Sequence, residues 1–526
     1  LSTPGPPEGT PGGALHRARP PGPRSAAAAG PAAAARALQR GQGTGRPAAP
    51  GPAHRGARAV GAAAVAVASP APRGRGRAGA HRPVPALRAA GPAHSPSRTE
   101  KEGGSPVTAP EQTLPRYPFS TDGDRLSPRL DEMRARCPVA RVATNGGDEA
   151  WLVTGHREAR TVLRDPRFAR SQVAAEHSPV QDSPIFAPEL LDALEYLRRA
   201  GLYEEVRRAL GPDLPDLPEE WLAGEARAAL AELPGPGGGR ADLQPAFAAR
   251  LAGRAMCRLL GLPAADLPRL AAWADTDLTM GLPTEAVHAN WRGLRDHLMA
   301  RMAPFADGER PPGAGLLPRL AAANAAGPAD PEGATGPNGA AGATARALTR
   351  EQLANVLGVV FVAGYEDLAS FLGVAAFHLL GRPDALDELR TCPESAHGHV
   401  EEALRFSVVL GNALARIATE ETELAGVRLS PGEMVLVSTD AANHDPSAFP
   451  EPHRYIPERR PNPHLRFGHG PHYCPGAHLT RVVSRVAFTE LARVPGLRLA
   501  VPPEQVGWVP DRMAIMPAAL PVHRRA

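Results

Sequence analysis

Ten residues near the C-terminus constrain this chain more than any others: Phe467-Gly468-His469-Gly470-Pro471-His472-Tyr473-Cys474-Pro475-Gly476. Gly468 and Gly470 stand at alternate positions, where a backbone can turn tightly or approach a flat surface. The cysteine follows, and residues 477–491 then repeat apolar side chains at helical spacing. Cys474 therefore opens a helix, where the dipole and the free N–H groups favour thiolate over thiol. A thiolate held there is a candidate metal ligand. The alternative for a lone cysteine, a buried structural thiol in a glycine-rich turn, is a poor match to this spacing.

The other cysteines narrow the choice. There are four in 526 residues, Cys137, Cys257, Cys392 and Cys474, with no CxxC pair and no disulfide-framework spacing. That usage predicts a reducing, cytoplasmic compartment with thiols used singly. One thiolate suits a haem iron better than zinc, whose structural sites take four protein ligands.

Charge divides the chain in two. Residues 1–100 carry 14 Arg, no Lys and two acids, a net of +12, which leaves −8 on the rest of a chain whose total is +4. The high pI thus belongs to the tail, and no nucleic-acid partner is expected. Residues 1–112 are Ala, Pro, Gly and Arg without period, and the first aromatic residue is Tyr117. Such a segment cannot bury enough surface to offset chain entropy, so it is expected to be disordered. A basic tail or transit peptide is one account of it. Upstream sequence translated from a start assigned too early, with Val107 as a later start, is the preferred one. The most apolar early run, residues 59–68, is far shorter than the ~20 residues of a membrane span, and no membrane association is expected.

From Tyr117 the texture becomes that of a folded domain. Residues 150–154 read as a strand and 156–165 as a helix. Further helices are expected over 188–209, 218–232, 242–260, 267–280 and 285–302. Residues 323–347 form a second Gly/Ala/Pro-rich stretch, read as a mobile loop. Thr349 with Gln352 makes a capping-box pattern, opening a long apolar helix to about Leu380. Strand patterns return at 422–427 and 433–438. The expectation is one mainly α domain with minor β over residues 113–526, large enough that a cofactor organising its core would be no surprise.

FGHGPHYCPG resembles the haem-thiolate signature of the cytochrome P-450 family, and residues 459–474 resemble its soluble bacterial, actinobacterial-type branch. The resemblance covers about residues 115–526. It implies the family's fold, with haem b between a long central helix and the helix after the cysteine loop. It also implies Cys474 as axial ligand, His472 at a haem propionate, Phe467 beside the sulfur side of the ring, and Gly476 admitting the close approach of the next helix. Residue 475 departs from the family's apolar residue: Pro475 suits a first helical turn but removes an N–H that could bond the sulfur.

Three further segments match by position. Glu402 and Arg405, an ExxR pair 72 residues before Cys474, resemble the family's structural ion pair, with the Arg454-Tyr455 region as third member. Arg416 and Arg207 align with the propionate-binding arginines, although Tyr203 stands where His is common and a solvent-facing Arg207 is the alternative. Gly364, Glu366 and Asp367 align with the central-helix stretch where a glycine opens a notch for dioxygen and an acid and a threonine pass protons. Here Asp367 replaces the threonine, and Ser370 stands nearly one turn on. A pair of helix carboxylates salt-bridged elsewhere is the alternative reading of the two acids.

The resemblance implies a monooxygenase oxidising a small organic substrate with dioxygen. Its electrons would come from a ferredoxin and its reductase, the protein acting as a monomer, with Arg466, Arg481 and Arg485 as a basic docking face. Asp367 keeps open aryl or phenol coupling and peroxide-driven oxidation. A non-catalytic partner protein is a further class, which the presence of Cys474 opposes. The Ala/Arg/Gly/Pro-rich composition associates the chain with secondary metabolism; no segment specifies the substrate.

Overall fold

Apolar side chains at helical spacing run through most of the described chain, and the computed structural model is accordingly mainly helical with a smaller β component. It describes residues 114–525 except 122, 181–190, 192, 278, 328–346, 410–412 and 511. The tail expected over 1–112 lies outside the described residues, as does most of the loop expected over 323–347. The described residues 323–326 finish a helix instead. The described residues all belong to one compact unit, Gly104–Ala526.

Helix α1 (Pro128–Arg136) leads into the hairpin β1 (Val139–Ala143) and β2 (Glu149–Val153), then α2 (His156–Arg164) and β3 (Phe168–Ala169). Seven helices follow around a two-residue strand, β4 (Ala241–Asp242): α3 (Ala193–Arg199), α4 (Tyr203–Leu210), α5 (Glu219–Ala231), α6 (Arg250–Leu260), α7 (Leu267–Asp277), α8 (Thr284–Ala306) and α9 (Leu316–Ala326). The long helix α10 (Arg350–Leu380) comes next, then α11 (Pro383–Thr391) and α12 (Ala396–Phe406). Strands β5 (Leu414–Ala418), β6 (Thr422–Leu424), β7 (Val427–Leu429) and β8 (Met434–Val437) precede α13 (Thr439–Asn443) and α14 (Ala477–Ala492). Strands β9 (Leu497–Leu499) and β10 (Pro521–Arg524) close the chain.

Two expected helices are broken. The segment 188–209 divides, within its described part, into α3 and α4 at Gly201, whose φ of +71° a side chain would resist. The segment 242–260 begins as β4 and a π-helical turn, Gln244–Ala249, before α6. The strand expected over 422–427 is a hairpin, turned by Ala425 and Gly426 at φ +50° and +78°, the positive-φ pair that a two-residue hairpin loop favours.

Five strands form the main sheet in the order β1-β2-β8-β5-β3, parallel only between β2 and β8. Apolar residues alternate onto both faces, with Leu152, Ala415 and Leu436 in one core cluster and Val153, Val435 and Val437 in another. Arg416 is paired opposite Val435 in this sheet.

The expected capping box starts α10: Gln352 N–H donates to Thr349 Oγ1 (3.1 Å), and Thr349 N–H donates to Gln352 Oε1 (2.9 Å). By length and apolarity α10 would pass as a membrane span, yet 72% of its most apolar window is buried in protein. It is a core helix, packed on α6, α7 and α8. Between Leu353 and Leu380 only Ala363 and Asp367 are exposed. They are four residues apart, hence on one helix face.

Candidate functional site

The cysteine loop is shaped by its glycines. Gly468 and Gly470 both take left-handed backbone, φ +72° and +75°. A Cβ on Gly470 would fall 2.7 Å from the Leu163 carbonyl oxygen and 2.9 Å from Arg164 Cα, so α2 can lie against the loop only because residue 470 has no side chain. Cys474 N–H donates to the Phe467 carbonyl (2.9 Å). The backbone N–H groups of Gly476 and Ala477 donate to the Cys474 sulfur, and Pro475 has none to give. Burial nevertheless dominates and pushes the thiol up to about 11. The two N–H bonds favour the thiolate, as expected of a helix N-terminus; burial opposes them, and a bound cation would favour the thiolate further. Phe467 is buried, with the Arg481 guanidinium 4.7 Å above its ring. A Cβ at Gly476 would stand 3.7 Å from the sulfur.

Across from the loop, the exposed face of α10 presents Asp367. Its surface is accessible, yet burial is strong enough to push its carboxyl up to about 6, with Arg466 pulling weakly the other way. Its charge acts on Cys474 and raises that thiol further.

The other two central-helix residues behave differently from expectation. Glu366 is 1% exposed and ion-paired with Arg512 of the C-terminal segment, which also reaches Asp275 on α7 (3.3 Å). That is the salt-bridged alternative, realised for Glu366 and not for Asp367. A Cβ on Gly364 would meet Met256 Sδ of α6 at 2.8 Å. The glycine thus accommodates helix packing, where an open notch was expected. Ser370 is fully buried, with no hydrogen-bond partner for its Oγ among the described residues.

A cluster of cations faces His472, two residues before the sulfur. Burial chiefly, then Arg416, Arg170 and Arg198, lower the His472 imidazole to about 4. Burial and Arg170 lower Arg416 to about 10, and its guanidinium makes one hydrogen bond, to the Ala415 carbonyl (2.7 Å), with no carboxylate paired to it among the described residues. Like charges gathered in a desolvated place repel unless an anion joins them. A haem with two propionates fits this group, and Cys474, whose sulfur accepts the Gly476 and Ala477 N–H groups, fits the iron. Sequence reasoning singled out Arg416 and His472 but missed Arg170 and Arg198. Arg207 is not among the cations acting on His472; its side chain is 66% exposed and reaches Glu204 (3.4 Å).

The ExxR pair is fully buried. Arg405 grips Glu402 bidentately (2.7 and 3.0 Å) and donates to the carbonyls of Asn443, Pro452 and Arg454. The third side chain is Arg459, 3.2 Å from Glu402. This corrects the expectation for residues 454–455: the Arg454 side chain is 68% exposed and pairs with Glu451, and only its carbonyl joins the network.

The three arginines of the expected docking face all have acidic partners. Arg466 is buried against Asp440 (2.9 Å), Arg481 grips Glu401, and Arg485 pairs with Glu219. Arg157, Arg160, Arg164, His156 and His469 instead line a basic groove of about 280 Å³ beside the loop. A larger groove of about 430 Å³, around Trp221 and Cys257, holds none of the candidate residues.

Residues 396–495 match the cytochrome P450 family profile. The chain is 33% identical to mycocyclosin synthase of Mycobacterium tuberculosis over 410 residues, 77% of this chain and 97% of that enzyme. It is 33% identical to mycinamicin IV hydroxylase/epoxidase of Micromonospora griseorubida over 413 residues, 77% of this chain and 98% of that enzyme. Among solved structures, cytochrome P450mel 107F1, described as having biaryl coupling reactivity, superposes with a TM-score of 0.66 at 32% identity, over 78% of this chain and all of that one.

Proposed function

Because the chain belongs to the cytochrome P450 family, we propose that Cys474 would hold the iron of a haem b and that the protein oxidises a small secondary metabolite beside it. The family makes the chain a haem-iron monooxygenase, an oxidoreductase acting on small molecules. The observation that supports the residue assignments is the gathering of cations at His472, two residues before Cys474, in a loop shaped by Gly468 and Gly470.

Bound there, haem supplies the reductive activation of dioxygen that side chains cannot. Cys474 holds the iron, with Gly476 and Ala477 N–H groups tempering the sulfur's charge. Arg416 and His472 hold the carboxylate edge, with Arg170 and Arg198 beside them. Phe467 and Gly476 shape the sulfur side. Asp367 holds and releases a proton at its carboxyl. Glu366 does not share that role, because Arg512 neutralises it. Electrons come from a ferredoxin and its reductase, docking on the groove of Arg160 and Arg164, in the cytoplasm, to a monomer. Gly470 brings that groove close to Cys474.

Coupling of aryl or phenol rings is the second reading. It is favoured by Asp367, a carboxylate where a hydroxyl is expected, and by the names of relatives: mycocyclosin synthase, biflaviolin synthase and a P450 with biaryl coupling reactivity. Two comparisons test the assignments. Arg416→Ala should lose more than about half its haem on dialysis, while Arg207→Ala keeps wild-type content; equal retention would refute the carboxylate assignment. Asp367→Asn should lower product per electron, while Glu366→Gln should not. Unchanged yield in Asp367→Asn would remove Asp367 from proton handling.

A further inference from the structure

The cysteine loop closes on itself through single backbone bonds: Gly468 N–H donates to the Leu465 carbonyl (2.9 Å), Tyr473 N–H to Gly470 (3.0 Å) and Cys474 N–H to Phe467 (2.9 Å). Two of its residues are glycines with left-handed backbone and no side chain to pack. A loop built this way opens readily unless something outside it grips it. Arg481, on the second turn of α14, grips both ends. Its guanidinium lies 4.7 Å above the Phe467 ring at one end. At the other, its Nη1 donates to the Tyr473 hydroxyl (3.3 Å). The two rings also meet edge to face, 6.2 Å apart. Arg481 is itself fixed. It forks onto Glu401 of α12 (2.6 and 3.1 Å), and Glu401 in turn meets His464 Nε2 at 3.1 Å. A planar cation with five donors can fork onto a carboxylate, donate to a hydroxyl and stack on a ring at once.

We propose that Arg481 is a positioning residue for Cys474, clamping Phe467 and Tyr473 so that the loop keeps the sulfur on the iron. This rests on the reading of Cys474 as the residue that holds haem. Arg481 acts through the loop's two ends. The Phe467 carbonyl holds the Cys474 N–H, and Tyr473 is the residue bonded to Cys474 in the chain, so a shift at either ring moves the sulfur. Groups that hold a metal ligand in place govern how firmly the metal is kept. The clamp also accounts for Tyr473, a large side chain left 48% exposed beside the loop. Burial does not fix its ring; the Arg481 bond and the Phe467 edge do.

The test follows the reduced carbon monoxide spectrum of the haem-loaded full chain over time under mild warming. Passage of the far-red Soret band into the short-wavelength band reports loss of the thiolate from the iron. Arg254→Met is the matched control, because Arg254 of α6 forks onto Glu225 of α5 (2.7 and 2.9 Å) with exposure like that of the Arg481–Glu401 pair. The far-red band should decay about tenfold faster in Arg481→Met, as the loss of a charge-assisted hydrogen bond implies. It should decay less than about twofold faster in Arg254→Met, whose pair lies on other elements. Tyr473→Ala, which alters only an exposed side chain, should speed the decay about threefold. It carries the comparison alone if Arg481→Met takes up no haem, and an unchanged decay in it would then overturn the proposal. An unchanged decay in Arg481→Met, or an acceleration equal to that in Arg254→Met, would overturn it as well. A wild type with no far-red band at the outset refutes the underlying reading, whereas a far-red band that the loop variants do not shorten refutes only the clamp.

Discussion

Cys474 receives two backbone N–H groups, from Gly476 and Ala477, and position 475 contributes none because it is proline. Each N–H bonded to a thiolate withdraws charge from it, so a missing one leaves a stronger donor. Pro475→Leu should therefore raise the reduction potential of the haem-loaded protein by roughly 20–60 mV, the equivalent of about one hydrogen bond. Equal potentials from spectroelectrochemical titration of the two proteins would contradict this. The motif and its missing N–H were legible in the sequence, because loop spacing and residue type carry them. The fate of the neighbouring acids on α10 was not. Glu366 and Asp367 are adjacent in sequence but point about 100° apart on a helix, and what each meets depends on Arg512 and the cysteine loop, both distant in the chain. Arg170 and Arg198 were missed for the same reason: nothing local distinguishes them from other arginines.

Helix α12 holds the loop in place from one side. Its Glu402–Arg405 pair is completed by Arg459, while Arg454 turns outward. Arg459→Ala should destabilise the protein by about 2–4 kcal/mol, because it leaves part of a buried carboxylate uncompensated. Arg454→Ala should cost less than about 0.5 kcal/mol, as expected of an exposed pair. Urea denaturation of the two variants distinguishes them, and equal losses would contradict the network. One residue earlier, Glu401 links α12 to α14. Burial is the largest influence on it and works to raise its carboxyl, but His464 and Arg481 together bring it down to about 2. A carboxylate whose pKa is depressed on folding stabilises the protein above its unfolded value near 4.5, and that stability is lost as pH falls toward 2. The wild type should accordingly lose stability between about pH 4.5 and 2 more steeply than Glu401→Gln. Superimposable acid-unfolding curves by circular dichroism would rule this out. At this scale, the helices with strong period, α10 with its capping box and α14 after the cysteine loop above all, were legible to within a few residues. The breaks at Gly201 and at the π-helical turn 244–249 were not, since one residue's φ and the packing of Gln244 against Gly373 decide them and apolar period does not.

The described residues form a helical body around one long buried helix, with a small sheet beside it. The fold class followed from apolar period, and the family followed from the cysteine loop, because both are local properties that sequence writes down directly. The influence of Asp367 on Cys474 is a property of the assembled body: it joins residues 107 positions apart, and the pairing of Glu366 with Arg512 distinguishes the two acids. The same assembly explains why the basic groove on α2 adjoins the loop, through a glycine whose side chain would have collided with that helix. The central claim is that this body holds a haem through the sulfur of Cys474. The most direct measurement is the absorption spectrum of the reduced full-length protein under carbon monoxide, beside that of Cys474→His. The account predicts a Soret band shifted far to the red in the wild type and a band at the shorter wavelength of a neutral ligand in the variant. The same short-wavelength band in both proteins, or no haem in the wild type, would contradict it.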